Sequence, residues 1–522
     1  MRARAALGWL VAKRALLLRE AVFLVLAAFA VAPLWLVEYP PIQDLPQHLA
    51  AIRVLHDYRD PALGFASFFV TALGRTQYLA YYLATHLMAF PLGVELANRV
   101  FVTLAVAALP YGARALLKAL GRDPWLGLFA FPLLWNAHLL LGFVNFIAAI
   151  TLTFFGLALA VNERLQPSRA RLLGVAALSL VTFYMHVVPF AFLAIGVVCI
   201  GFGEGVRRTL VRWLALLPSA IAAAVWTFTS PAGGAVRTAS GLAPSTEAVR
   251  PQFQAWSDAL REAPAWLTDI LPGKLDEELL IVWGLLVLLC IGLGAGARMS
   301  EALPDLRTWR QSTLVRRLAW LAPLAGLAYF VSPVTYSWIW PINARFPLLA
   351  LLFLIVVLPS PTGLCRWLLL AGVASISVLS SREVATAFRR FQKNEVAEFE
   401  SALAAIPVGQ KVAGLIWDRG SAYVKFAPFL HAVAWYQAKK GGAVMFTFAD
   451  FPQSPFRFRE SNRPPRVGPR WEWMPESVNV PNDLSWYDYV LVRGGPGGVA
   501  AQPQVFSPVF QGPHWSVWKR AR

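Results

Sequence analysis

The stretch Glu38-Tyr-Pro-Pro-Ile-Gln-Asp-Leu-Pro-Gln-His-Leu-Ala50 follows the first long apolar run of the chain. It places an acidic residue, Asp44, and an imidazole, His48, four positions apart at the mouth of a membrane segment. Prolines on both sides of Asp44 restrict the backbone, so we expect a stiff and largely extended loop. A purely structural loop does not need an Asp and a His together, which makes this segment the first candidate for a functional site.

The composition of the 522-residue chain is that of a membrane protein. Hydrophobic residues make up 57% of it and charged residues only 15%, whereas soluble domains carry about 25% charged residues. The mean hydropathy is +0.54. Apolar runs of about 17–23 residues, the length that spans a bilayer, recur between positions 21 and 381. We therefore predict a polytopic α-helical membrane protein.

The basic excess has an explanation within this class. The formal net charge is +18, and the Arg and Lys residues cluster in short loops beside the apolar runs, as cytoplasmic loops require. We therefore predict no nucleic-acid partner. The three cysteines, Cys199, Cys290 and Cys365, lie in or beside apolar runs and indicate neither a disulfide framework nor a thiolate zinc site.

The positive-inside rule gives the predicted topology. Basic residues before position 20 place the N-terminus in the cytoplasm, and a long external loop, 38–96, follows the first span. The apolar stretch near 77–93 is barely long enough to span, and we predict that it lies at the interface. We predict about eleven spans, at about 21–37, 98–114, 124–138, 140–161, 172–187, 189–205, 212–229 and 278–296, then one ending near Tyr329, one at about 346–359 and a last one between Arg366 and Ser380.

Residues 382–522 are richer in charge and contain only short apolar runs. Their pattern predicts strands at 411–417, 443–448, 487–493 and 515–519 and a helix at 429–440. We thus expect a transmembrane domain over 1–381 and a small extracytoplasmic α/β domain over 382–522, in the cytoplasmic (inner) membrane of a bacterium. The glycine-rich loop after position 493 lacks the dinucleotide fingerprint.

Two interpretations of Asp44 and His48 remain open. Asp44 followed by an early proline fits the N-cap of a helix. Alternatively, Asp44 is a general base, and His48, one helical turn further on, orients it, moves a proton or helps to hold a divalent metal. An Asp and a His alone are weak evidence for a metal site, because such a site normally needs more ligands.

Polar residues beside the other predicted spans give further candidates. His138 and Asn145 occur in otherwise apolar helices and either bond to neighbouring helices or contact a substrate. Arg345, which follows Asn343 in an external turn rich in tryptophan, could bind a lipid phosphate bidentately or reach out to headgroups. Arg75 is a second candidate for a phosphate contact. We predict substrate or phosphate binding by these five residues.

The order of these features resembles the GT-C superfamily of integral membrane glycosyltransferases, which use polyprenyl-phosphate-linked sugars. The resemblance comprises one span, a long first external loop with an early acid (Asp44), an interfacial helix near Tyr78, a multi-helix core and an external C-terminal domain. It implies that Asp44 is a base or metal ligand, and that the donor is a polyprenyl-phosphate-linked sugar within the bilayer. Many members carry paired acids where this chain has Gln43 and Asp44.

Two other classes of function remain open. A transporter or flippase for a lipid-linked or polar substrate would line its pathway with intramembrane His and Asn side chains, although no inverted repeat is visible in the sequence. A non-catalytic membrane assembly protein would use the external domain to bind a partner. The chain has no Walker motif, no Gly-x-Ser-x-Gly elbow and no His-Glu-x-x-His motif.

Overall fold

The computed structural model describes residues 2–239, 250–298, 306–465, 472–495, 499, 502 and 504–521. It confirms the predicted architecture of many apolar helices followed by a small C-terminal α/β domain. The helices before position 392 are α1 (Arg2–Trp35), α2 (Leu45–His56), α3 (Phe65–Phe68), α4 (Leu79–Leu92), α5 (Val94–Ala119), α6 (Ala137–Leu141), α7 (Val144–Leu165), α8 (Arg169–Met185), α9 (Val187–Gly201), α10 (Val206–Leu214), α11 (Leu217–Thr229), α12 (Pro231–Ala239), α13 (Trp256–Leu267), α14 (Leu275–Arg298), α15 (Leu306–Leu318), α16 (Leu321–Val331), α17 (Arg345–Val357) and α18 (Gly363–Phe391).

Seven of the predicted spans fall on helices of sufficient length. Within the described residues, 6 helical segments are long and apolar enough to cross a membrane, and the pair α10–α11, bent by 51°, brings the number to 7. The other four predicted spans lie on shorter helices, namely α8, α9, α17 and the 3₁₀ helix Pro124–Leu133. Pro132 lacks the backbone donor of an α-helix and Asn136 caps the separate helix α6, so the segment predicted at 124–138 does not form one continuous helix.

The centre of the helical domain is α7, which is buried over most of its length and packs against α5, α8 and α9. Gly112 allows α5 to approach it closely, since a Cβ atom there would lie 3.1 Å from Phe154 Cβ and 3.2 Å from Thr151 O. Small residues have this role in helix packing within membranes. The packing of α5 on α7 is thereby close, and α7 carries the candidate Asn145 in its first turn.

The C-terminal domain contains a five-stranded sheet of order β3-β2-β5-β7-β6, in which β3, β2 and β5 are parallel and β7 and β6 antiparallel. Its strands are β2 (Lys411–Ile416), β3 (Ala443–Val444), β5 (Tyr489–Arg493), β6 (Phe506–Gln511) and β7 (Trp515–Arg520), and its helices are α19 (Phe399–Ala404), α20 (Val433–Lys440) and α21 (Val480–Asp483).

Most of the predicted elements of this domain are present. The strands predicted at 411–417, 487–493 and 515–519 correspond to β2, β5 and β7, and the helix predicted at 429–440 corresponds to α20. The strand predicted at 443–448 stops after Val444, because Phe446 adopts a positive φ of 55° and the chain turns into a short 3₁₀ helix. The sequence did not predict the edge strand β6.

The first external loop is bound tightly to the C-terminal domain. Strand β1 (Phe69–Thr71) of the loop pairs antiparallel with β4 (Phe456–Phe458) of the domain. Helix α2 packs against α20. The side chain of Gln47 donates to Phe446 O and accepts from Phe448 N at 3.2 Å. These contacts bring two segments about 400 residues apart in sequence to one place.

Candidate functional site

Asp44 stands at the start of α2 and not in an extended loop. The expectation of an extended backbone is wrong from Leu45 onward, because the early Pro46 lies in the first turn of the helix, where its missing donor is tolerated. Asp44 occupies the N-cap position, but its side chain makes no capping hydrogen bond. The carboxylate is therefore available for another partner.

A glycine of the opposite loop fixes the position of Asp44. Gly142 has a φ of 97°, and a Cβ atom there would lie 2.8 Å from Asp44 Cβ and 2.9 Å from Asp44 N. The amide of Asp44 donates to Leu141 O at 3.1 Å. Gly142 ends α6 in the left-handed region, which permits this close approach of the two backbones.

The carboxylate of Asp44 pairs with His431 of the C-terminal domain. His431 Nε2 lies 3.2 Å from Asp44 Oδ1, and His431 Nδ1 forms a second ion pair with Glu472 Oε1. The imidazole is 8% exposed. Burial lowers the pKa of His431, but the carboxylates of Glu472 and Asp44 outweigh this and raise it to about 10. His431 is therefore a cation at neutral pH, held between two carboxylates.

His48 has a different environment from the one expected of a partner of Asp44. Its Nδ1 lies 3.1 Å from the hydroxyl of Tyr82, and its ring meets the edge of Phe448. Burial lowers the pKa of His48 to about 4, so the ring is neutral at pH 7. The His48 and Asp44 side chains are both described, and no hydrogen bond joins them. The imidazole that contacts Asp44 is that of His431.

Asp44 and His48 lie on the wall of a cavity of about 450 Å³. The cavity lies between the first external loop, the starts of α7 and α9, the turn before α17 and the segment 448–454 of the C-terminal domain. Its polar wall includes Gln77, Asn145, His186 and Arg345. Its aromatic wall includes Tyr78, Tyr82, Phe143, Trp226, Trp338 and Trp340. Four of the sequence candidates, Asp44, His48, Asn145 and Arg345, thus share one cavity.

Arg345 is the cation of this cavity. It is 7% exposed, its Nη1 donates to Pro341 O, and its guanidinium lies 5.1 Å from the centre of the Phe143 ring. Among the described residues no carboxylate pairs with it, and its buried Nε has no hydrogen-bond partner. A buried guanidinium without a carboxylate is costly unless an anion binds there.

Tyr78 lies between the two charged groups of the cavity. Its hydroxyl forms a hydrogen bond with the side chain of Asn145. Burial raises the pKa of Tyr78, Arg345 lowers it and Asp44 raises it. Its ring stacks on His186 with centres 5.9 Å apart. Asp44, Tyr78, Asn145 and Arg345 therefore form a connected polar surface within otherwise aromatic walls.

Three predicted site residues do not line the cavity. His138 is fully buried, and its Nε2 lies 2.9 Å from Ala344 O. This contact stabilises the turn that precedes Arg345. Asn343 is buried in the same turn and donates its backbone N–H to Pro333 O at 3.2 Å. Arg75 contributes its backbone carbonyl to Trp226 Nε1 at 3.2 Å. The interpretation of His138 as a residue that hydrogen-bonds between helices fits its contact better than substrate binding does.

The metal site considered from the sequence gains no further ligands. In the part of the chain that the structure describes, no group of three or more His, Cys, Asp or Glu side chains is arranged to hold a metal ion. Asp44 and His48 face the cavity, but Oδ1 of Asp44 is occupied by His431.

Sequence reasoning missed His431 and Glu472. His431 stands in the apolar stretch Phe426-Ala-Pro-Phe-Leu-His-Ala-Val-Ala434, and a single titratable residue in such a stretch is a usable signal of a buried partner. Glu472 lies between two tryptophans and carries no such signal. Its role depends on a tertiary contact that no spacing within the sequence indicates.

Comparison with known proteins gives a structural likeness. The crystal structure of ArnT from Cupriavidus metallidurans in the apo state aligns over 98% of this chain and 98% of its own, with 12% sequence identity and a TM-score of 0.46. No protein-family model matches the chain, and no curated protein matches it. The function must therefore be inferred from the cavity itself.

Proposed function

We propose that this protein is a membrane glycosyltransferase that moves a sugar from a polyprenyl-phosphate carrier to an acceptor hydroxyl at the outer face of the cytoplasmic membrane. The observation that supports this most is the presence, in the wall of one cavity, of Asp44 and of the buried Arg345, with which no carboxylate of the described residues pairs. A general base and an anion-binding cation are the two groups that such a transfer needs.

The reaction is a direct displacement at the anomeric carbon of the donor. A bond forms between the acceptor oxygen and this carbon while the bond from the carbon to the phosphate oxygen breaks. The electron pair of the broken bond stays on the phosphate, and the proton of the acceptor hydroxyl passes to Asp44. Arg345 stabilises the charge that develops on the leaving phosphate.

The aromatic wall suits the other parts of such a donor. Trp226, Trp338 and Trp340 offer flat apolar faces on which a sugar ring or an isoprenoid unit can pack. The turn that carries the last two is fixed to the C-terminal domain, because Trp338 Nε1 donates to Gln453 Oε1 at 2.7 Å. A lipid-linked donor also requires no nucleotide site, in agreement with the missing phosphate-loop motifs in the sequence.

A binding experiment tests this proposal without knowledge of the sugar. Polyprenyl phosphate and the matching polyprenol are titrated into the purified protein in lipid nanodiscs. We expect the phosphate to bind and the alcohol to bind far more weakly. Arg345→Gln should weaken binding of the phosphate by about 10–100-fold, as expected for the loss of a charge-assisted bidentate contact.

Arg75→Gln is the matched control for that substitution. Arg75 belongs to the same outer region but does not line the cavity, so its loss should leave the affinity for polyprenyl phosphate unchanged. Equal binding of phosphate and alcohol, or equal effects of the two arginine substitutions, would contradict the proposed function.

A further inference from the structure

We propose that His431, held by Glu472, is a positioning residue that fixes the Asp44 carboxylate in the cavity and makes its orientation depend on the docked C-terminal domain. The inference rests on the proposed function in one respect, since it takes Asp44 to be the general base. The ion pairs themselves are independent of that assumption.

The geometry restrains the imidazole at both of its nitrogens. Nε2 lies 3.2 Å from Asp44 Oδ1, and Nδ1 pairs with Glu472 Oε1. A ring held at both nitrogens cannot turn about its Cβ–Cγ bond without breaking an ion pair. The Phe448 ring meets the same imidazole in an edge-to-face arrangement, with ring centres 6.4 Å apart. The position of Oδ1 is thereby determined by a rigid neighbour and not by solvent.

The docking of the domain determines where His431 lies. It immediately precedes α20, which packs on α2, and Asp44 is the residue before α2. Gln43 Oε1 accepts from Ala427 N at 3.2 Å, four residues before His431. The hydrogen bonds of Gln47 to Phe446 and Phe448 hold the other side of the same contact. Any loosening of this interface moves the imidazole away from Asp44.

The charges explain how Asp44 can act as a base while it is paired. Two carboxylates and one imidazolium carry one net negative charge, so one proton can still be accepted. With Oδ1 engaged by His431, the proton of the acceptor arrives at Oδ2, and the imidazolium and Glu472 remain paired afterwards. His431 thus keeps its proton through the reaction and acts only through Asp44.

A double-mutant cycle tests this inference. The substitutions Asp44→Asn and His431→Gln are made singly and together, and release of polyprenyl phosphate from polyprenyl-phosphate-linked sugars is measured with water as acceptor. We expect H431Q to lower kcat by about 100-fold, the scale of a misplaced catalytic group, and to leave the affinity for polyprenyl phosphate unchanged. The double variant should be no slower than D44N alone.

The pattern of losses separates the inference from the proposed function. If the losses of D44N and H431Q multiply in the double variant, or if H431Q alone has no effect, the positioning role is wrong and the proposed function stands. If D44N releases polyprenyl phosphate as fast as the unchanged protein, the proposed function is wrong. Gln47→Ala should lower kcat in the same assay while both partners of each ion pair remain present, because it weakens the interface that positions His431.

A measurement without substrate tests the arrangement directly. The protein is labelled with ¹⁵N-histidine, and the resonances of His431 are assigned among the seven histidines by their loss in H431Q. The titratable groups that face this ring are Asp44, Glu472 and His48, and His48 is neutral at this pH. We expect both ring nitrogens to stay protonated at pH 8 and to lose this property in Glu472→Gln. A neutral ring in the unchanged protein would overturn the inference whatever the activity.

Discussion

Three neighbours determine the position of Asp44, the proposed general base, at the level of single atoms. The amide of Asp44 is bonded to Leu141 O, its carboxylate pairs with His431, and Gly142 lies against its Cβ atom. The proline-rich segment supplies the helix start, and the partners come from segments about 100 and 390 residues further along the chain. The position of the carboxylate therefore depends on the tertiary structure and not on the proline-rich segment alone.

Replacement of Gly142 by alanine tests the close approach of the two loops. A Cβ atom would lie 2.8 Å from Asp44 Cβ, and alanine at a φ of 97° is strained. We expect a loss of about 1–3 kcal/mol in the free energy of unfolding and a loss of turnover. Gly326→Ala is the matched control, since nothing lies within 4 Å of that position and its φ is not positive. Similar effects of both substitutions in thermal unfolding would contradict the account of Gly142.

The ion pairs of His431 predict a specific dependence of stability on pH. Its pKa rises from the ordinary value of 6.5 to about 10 on folding, so the charged imidazole stabilises the fold fully below pH 6.5. This contribution is lost as the pH rises from about 6.5 to about 10. We expect the difference in Tm between the unchanged protein and H431Q to shrink over that range. A difference that grows with pH would show that His431 is neutral in the folded protein.

At the scale of elements, the first external loop and the C-terminal domain form one unit. Helix α2 packs on α20, and β1 pairs with β4. The helix α18 continues past the predicted domain boundary at 381 to Phe391. The first external loop and the domain that supplies His431 are therefore not independent bodies in the described structure.

Gln47 is the side chain through which this docking can be weakened. It is 1% exposed and bonds to the backbone on both sides of the turn at Thr447. Gln47→Ala leaves a half-buried carbonyl and a half-buried N–H without their side-chain partner, and we expect a cost of about 1–3 kcal/mol and faster proteolysis of the C-terminal domain. Gln166→Ala, whose hydrogen bond to Arg171 is exposed, should have no such effect. Equal rates of proteolysis for both variants would count against docking through Gln47.

The sequence predicts the elements of this protein better than their contacts. Long apolar segments identify helices such as α5 and α7. The buried strands β2 and β5 appear as short continuous apolar runs. The strand predicted at 443–448 is shorter because Phe446 adopts a positive φ. The sequence gives no local signal for this backbone conformation. Arg345 was identifiable because it opens an apolar run on the predicted outer side, where the positive-inside rule gives no reason for a cation. Asp44 was identifiable because it occurs with His48 in a proline-rich segment beside an apolar run. Glu472 was not, because only tertiary structure brings it to His431.

In the whole molecule, transfer at the outer face of the membrane requires the cavity to lie on that side. The basic loops predict a cytoplasmic N-terminus and an extracytoplasmic C-terminal domain. The exposed Cys365 precedes the apolar part of α18 and should then be cytoplasmic, whereas the exposed Ser477 of the C-terminal domain should be outside.

Cysteine labelling in intact cells tests that orientation. A membrane-impermeant maleimide should modify a variant with Ser477→Cys and Cys365→Ser before the cells are opened. The native Cys365 should react only after permeabilisation. The reverse pattern would place the C-terminal domain in the cytoplasm and would contradict the predicted topology.

The release of polyprenyl phosphate from a panel of polyprenyl-phosphate-linked sugars tests the central claim most directly. We expect the unchanged protein to release polyprenyl phosphate from at least one donor. Asp44→Asn, purified in a folded state, should lose at least about 100-fold in turnover, the scale of general-base catalysis. Asp57→Asn is the matched control, because Asp57 ends the same helix, pairs with Arg53 and lies outside the cavity wall. Full turnover by D44N, or equal losses in D44N and D57N, would contradict the account.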